Sequence, residues 1–128
     1  MSLYKFLENT NPLLTIPLTK CGDSLDRKEL KENLIETMKE SAGVGLSANQ
    51  CGVMERAFVM YSDIKKKEIL ACFNPKIVSE SDESILMDEG CLSWPGLWLQ
   101  VRRPDGIEAT YEDEDGKLHE IALFGLEC

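Results

Sequence analysis

Residues 26–50, DRKELKENLIETMKESAGVGLSANQ, decide the fold class, because the helical hydrophobic period begins and ends within them. Asp26 followed three residues later by Glu29 is a capping box that opens a helix. Leu30, Leu34, Ile35 and Met38 then recur along one face, with Glu and Lys alternating on the other. The pattern predicts an amphipathic helix from about Asp26 to Ser41, stopped by Gly43 as a C-terminal glycine. Beyond it comes a glycine-punctuated loop, and then the period falls to two.

Arg56 to Ser62 alternates as a strand does, followed by Ile69 to Phe73 and, beyond Pro75, Ile77 to Ser79. After the acidic stretch SESDES comes a short apolar run, Ile85 to Met87, and Leu97 to Arg103 alternates again. Ile107 to Glu112 and Lys117 to Phe124 flank EDEDG, whose Asp115-Gly116 reads as a hairpin turn. The first 24 residues are irregular, broken by Pro12 and Pro17. One helix followed by many short strands is an α+β domain with mixed or antiparallel β-sheets.

A chain of 128 residues is a single domain able to bury its own core. With 14 basic against 23 acidic residues the net charge is −9, which argues against a broad basic surface for nucleic acid or anionic lipid. No run reaches the roughly eighteen apolar residues of a membrane helix, and the N-terminus has no secretory pattern. The expected compartment is cytoplasmic.

Cys21, Cys51, Cys72, Cys91 and Cys128 are odd in number, widely spaced and form no CxxC pair, so neither a disulfide framework nor a cysteine-built zinc finger is expected. Four read as packed thiols. Cys91, in Glu89-Gly90-Cys91-Leu92-Ser93, reads equally as a core thiol, a nucleophile or a metal ligand. The only histidine, His119, sits in a strand, where a bystander role is the ordinary one. Trp94 and Trp98 read as core or pocket wall. The glycine pair in Gly43-Val44-Gly45 lacks the third glycine of a dinucleotide fingerprint, and spacing alone fits a helix stop and loop as well as a site. The acidic runs at 79–84 and 113–115 lack EF-hand spacing and read as solvated loops.

Together, GVGLSANQ at 43–50 and EGCLS at 89–93 resemble the first two signature motifs of the peptide deformylase family, in its order and at its separation. Asn74-Pro75, Val101-Arg102-Arg103-Pro104 and Gly125-Leu126 also fall where that family has them, and the similarity runs from about Asn11 to Cys128. Ser47 replaces the commoner alanine of the first motif. The resemblance implies hydrolytic removal of the formyl group from the N-terminal methionine of new polypeptides. It also implies one divalent metal ion, Fe(II) with Zn or Ni as alternatives, held by one cysteine and two histidines with a position left open for water. The implied partners are N-formylmethionyl peptides and nascent chains at the ribosome, with no direct nucleic acid and no membrane.

Carried over, Cys91 is the thiolate ligand. Gln50 through its amide, and Leu92 through its backbone N–H, hold the oxygen that gains charge. Val44 and Gly45 present backbone groups to the peptide, and Val44 and Met87 wall a slot for the methionine side chain. Glu89 supports the site from behind.

The family's third motif, HExxH, is absent from the sequence. It places two histidine ligands four apart on one helical face with a glutamate between them as general acid and base. The expectation is therefore a peptide deformylase-like domain truncated at its C-terminus, without the central helix against which the family's sheets pack, and with an exposed apolar face as the consequence. Two other readings stay open. One is a catalytically silent module that binds formyl peptides. The other is a cysteine hydrolase pairing Cys91 with His119.

Overall fold

Leu30, Leu34 and Met38 fall on one face of a helix, and all three are buried. In the computed structural model, which describes residues 3–21, 25–63 and 67–124, this helix is α1, Arg27–Glu40. The Asp26 side chain accepts the Glu29 N–H at 3.1 Å, as its capping position requires. The stop differs from the expectation. Ala42, not Gly43, takes the left-handed conformation (φ 55°), while the Ala42 and Gly43 N–H groups bond back to Lys39 O and Met38 O. These are the two bonds of a Schellman ending, with alanine at the position glycine favours. Ala42→Gly therefore raises stability by about 0.5–1 kcal/mol, the left-handed penalty minus glycine's extra unfolded-state entropy. A higher urea midpoint with unchanged slope is the check.

Seven strands follow among the described residues. β1 (Gly45–Ser47), β2 (Ala57–Asp63), β3 (Glu68–Glu80), β6 (Gly106–Glu112) and β7 (Leu118–Phe124) form one sheet in the order β1-β2-β3-β6-β7. β4 (Ser84–Cys91) and β5 (Trp94–Pro104) form a separate two-stranded hairpin. Every pairing among the described residues is antiparallel, so of the expected mixed or antiparallel sheets the antiparallel kind is found.

Two local readings are corrected. The loop after α1 contains a strand, β1, too short to show a period, followed by a 3-10 turn at Ala48–Cys51. Pro75 does not divide two strands, because β3 runs through it. The register against β6 slips between Phe73 and Lys76, so the missing proline N–H falls in a bulge and breaks no ladder bond. Asn74 absorbs the bend at φ 51°, and its side chain bonds Cys21 N and Glu112.

Period-two alternation divides the sheet faces. Ala57, Val59, Ala71 and Phe73 turn toward α1 and complete the core with Leu46 and Ala48. Phe58, Met60, Leu70 and Cys72 turn the other way and, with Ile121 and Leu123, line an apolar trough of about 530 Å3. An exposed apolar surface on the sheets, expected from the sequence, is present: Ile77, Val78, Leu118 and Phe124 are each more than half exposed.

The acidic β6–β7 turn is not simply a solvated loop. Arg27 reaches Glu112 and the Asp113 carbonyl, Lys31 reaches Glu114 and Lys28 reaches Asp115, tying α1 to the turn. The His119 bond and two backbone N–H bonds lower the Asp113 carboxyl to about 2. No helix among the described residues is long and apolar enough to cross a membrane. Gly125-Leu126 and Cys128 lie outside the described residues.

Candidate functional site

β4 ends at Cys91 and β5 begins at Trp94, so Leu92 and Ser93 form the two-residue tip of the hairpin. Leu92 packs against the main core and stands directly over Gly43. A Cβ at Gly43 would lie 2.7 Å from Leu92 Cδ1, so the glycine gives room for this approach, while the left-handed residue of the helix stop is Ala42. Ser93 is buried at 6% exposure. The tip is thereby seated against the segment that carries Gln50.

The Gln50 amide has a determined orientation. Its side-chain oxygen accepts the Ser47 backbone N–H and the Ser47 hydroxyl, both at 3.0 Å. A backbone N–H can only donate, so the oxygen must face Ser47 and the NH2 group must face the hairpin tip. There Nε2 donates to Ser93 Oγ at 3.2 Å and lies 3.6 Å from Cys91 Sγ. Neither Ser47 nor Ser93 was singled out from sequence as an orienting group. The signal for Ser47 is the S-x-x-Q spacing of a capping box at 47–50.

Val44, Gly45, Gln50, Cys91 and Leu92 line one cleft of about 340 Å3, with Trp94 and Trp98 on its rim. Among the described residues no charged side chain lines it. Val44 is 59% exposed at its mouth, and β1 is an edge strand. Cys91 is exposed, unlike the other described cysteines. Burial pushes the Cys51 thiol up to about 11 and Cys72 to about 12, and it also raises Cys21, which makes all three poor nucleophiles and ligands at neutral pH.

Met87 and Glu89 are placed elsewhere. Met87 is half-buried on β4 opposite Val101 and is not among the cleft-lining residues. Glu89 is gripped by Arg103 across the hairpin, with bonds of 2.5 and 2.6 Å. That pairing holds the Glu89 carboxyl below its ordinary range and raises Arg103. It fixes β4 against β5 two residues before Cys91. Trp94 and Trp98 are exposed wall, not core.

His119 is not near this chemistry. It bonds Asp113 at 2.7 Å, stacks on Tyr111 and lines no part of the cleft, so it is neither a base nor a co-ligand for Cys91. Among the described residues no three His, Cys, Asp or Glu side chains gather to hold a metal ion. Cys91 is one suitable donor, where a catalytic centre takes three from protein. The described residues alone do not fit a resident metal.

The fold and cleft define an α+β domain that seats an exposed thiol beside a preoriented amide donor. The sequence model of the polypeptide deformylase family matches residues 3–128. The peptide deformylase of Novosphingobium aromaticivorans is 34% identical over 98% of this chain and 79% of its own length. That of Zymomonas mobilis is 36% identical over 98% of this chain and 75% of its own. The crystal structure of peptide deformylase from Thermus thermophilus superposes with a TM-score of 0.90 at 32% identity, covering 98% of this chain and 74% of that one. The chain belongs to the polypeptide deformylase family.

Proposed function

We propose that the protein takes part in removing the formyl group from N-formylmethionyl peptides, and that the cleft at Cys91 holds the formyl end. Membership of the family implies a catalytic metal ion. In this reading Cys91 would be its thiolate ligand, with Fe(II) as the metal and Zn or Ni as alternatives. Nascent chains in a cytoplasm are the physiological substrate.

The observation that carries the reading is the Gln50 amide, locked by Ser47 so that its N–H donors point to the cleft side of Cys91. Attack of water on a formyl carbon turns its carbonyl oxygen into an oxyanion. A donor fixed in advance stabilises that charge without reorganising. The Leu92 backbone N–H at the seated tip is the second candidate donor. Val44 and Gly45 offer the peptide backbone partners, and Val44 is assigned to the methionine side chain.

The test is isothermal titration of formyl-Met-Ala and Met-Ala, with formate release followed in parallel. The reading expects the formylated peptide to bind more tightly, and His119→Ala to change neither binding nor any formate release. Equal binding of the two peptides, or loss of formate release in His119→Ala, would overturn it. The second outcome would restore a cysteine–histidine hydrolase.

A further inference from the structure

We propose that residues 4–7, in the irregular start of the chain, are a positioning strap for the Gln50 amide: the Leu7 N–H holds the main chain of Gln50, and Tyr4 ties the strap to α1. This rests on the reading of Gln50 as the donor that meets the formyl oxygen.

The side chain and the backbone of Gln50 are held by different partners. Ser47 sets which way the amide points, but it caps the same short turn, Ala48–Cys51, to which Gln50 belongs. Bonds within a turn do not fix where the turn stands. The core fixes its beginning, because Ala48 is fully buried. Gln50 is only half-buried, and Gly52, which closes the turn at φ 78°, is exposed. The Gly52 and Val53 N–H groups turn back to Ala48 O and Asn49 O, which leaves the Gln50 carbonyl to a donor from elsewhere. That donor is the Leu7 N–H, at 2.8 Å. The Leu7 side chain covers the same turn: a Cβ built on Gly52 would stand 3.4 Å from Leu7 Cδ2.

The other end of the strap is anchored on buried polar groups of α1. The Tyr4 N–H donates to Thr37 Oγ1 at 3.0 Å, and the Tyr4 hydroxyl accepts from Asn33 Nδ2 at 3.2 Å. Asn33 and Thr37 are both buried, one helical turn apart. Thr37 donates its own hydroxyl hydrogen to Asn33 O at 2.8 Å, so its oxygen is turned to accept from Tyr4. Tyr4 and Phe6 pack against the core, while Leu3 and Lys5 face out. The helix thus fixes one end of the strap, and the far end of the Gln50 turn hangs on the other. Releasing either end lets that turn shift and takes Nε2 away from its place beside Ser93 Oγ and Cys91 Sγ. A preorganised donor keeps its effect only while it is held within about 0.5 Å of the productive geometry.

The experiment is isothermal titration of the purified chain with formyl-Met-Ala and with Met-Ala, on wild type, Leu7→Pro, Leu7→Met and Thr37→Val. Proline deletes the N–H that holds Gln50 and methionine keeps it. Valine keeps the shape of Thr37 and deletes the acceptor for Tyr4. The quantity compared is the preference for the formylated peptide, with thermal unfolding as the check on folding and the Gln50 side-chain amide signals followed by NMR. Leu7→Pro should lower the preference about three- to ten-fold, the worth of one hydrogen bond, move the amide signals and leave Met-Ala binding unchanged. Thr37→Val should lower it about two- to three-fold, and Leu7→Met should keep the wild-type value. If Leu7→Pro does not fold, Thr37→Val and its amide signals decide alone. A wild type that binds both peptides alike overturns the reading of the cleft, and this inference with it. A wild-type preference that survives in Leu7→Pro and Thr37→Val with unmoved Gln50 signals, even at a lower unfolding temperature, overturns the strap alone. So does a loss in Leu7→Met equal to that in Leu7→Pro.

Discussion

Phe73→Ala lowers the unfolding free energy by about 3–5 kcal/mol, the range for a large aromatic removed from a packed interior. Phe73 is 1% exposed, on the face of β3 that meets Leu30, Leu34 and Met38 of α1, with the Arg27 guanidinium 5.1 Å from its ring. Alanine would leave a void bounded by a helix and a sheet whose positions are fixed elsewhere, by the Asn74 bulge and by the ion pairs of the acidic turn. Collapse into the void is therefore limited, which favours the upper half of the range. Total stabilities of small domains are about 5–15 kcal/mol, so the variant should be near the edge of folding at 25 °C. Urea unfolding followed by tryptophan fluorescence is the measurement, with Phe124→Ser as the control. Phe124 is 69% exposed, and its replacement should stay within about 0.5 kcal/mol. A Phe73→Ala loss below about 1 kcal/mol would mean that α1 does not pack on β3 as described.

The helix that supplies one layer of this core was legible because Leu30, Leu34, Ile35 and Met38 recur with the helical period between a capping box and a glycine. β1 was not, since three residues, one of them glycine, contain no period. β3 was read as two pieces because proline looks like a breaker wherever it stands, and only the partner strand reveals that Pro75 occupies a slip in register. The acidic turn looked solvated because its cations, Arg27, Lys28 and Lys31, lie more than eighty residues away in sequence. Trp94 and Trp98 read as core or pocket wall, and the bulged hairpin leaves them exposed on the wall of the cleft.

The site shows the same division. From spacing alone Cys91 and Gln50, 41 positions apart, fitted a core thiol and a loop residue as well as a site. The resemblance of two short motifs joined them, and the fold places the Gln50 amide 3.6 Å from the thiol. That resemblance says nothing of what orients the amide. The Ser47 hydroxyl, standing where alanine is the commoner residue, makes one of the two bonds that fix the Gln50 oxygen. The first motif is thus a geometric device as well as a signature: Gly43 admits Leu92, Leu92 seats the hairpin tip, and the tip brings Ser93 and Cys91 to an amide that can point only one way.

Gln50→Leu tests that device where the effect should be largest. Leucine keeps the approximate shape and removes both the donor to the cleft and the acceptor for Ser47. In the catalytically active protein, hydrolysis of a formyl-Met peptide should fall by about 10^2–10^3-fold, the usual result of deleting one oxyanion donor. Because the negative charge exists fully only in the transition state, most of the loss should be in kcat, with KM changing little. The substitution also leaves the Ser47 N–H without its partner, at a cost of about 1–3 kcal/mol in stability, so slower turnover alone could reflect a disordered loop. Ser47→Ala separates the two effects. It deletes the hydroxyl bond but keeps the N–H to Oε1 bond that sets the amide direction, and should cost less than about ten-fold in kcat, one modest hydrogen bond. Gln50→Glu retains an acceptor for Ser47 yet presents no donor to the substrate at neutral pH, so it should remain as slow as the leucine variant despite an intact loop. Full activity in Gln50→Glu would show that the amide hydrogens do not meet the developing charge. The role would then pass to the Leu92 N–H alone.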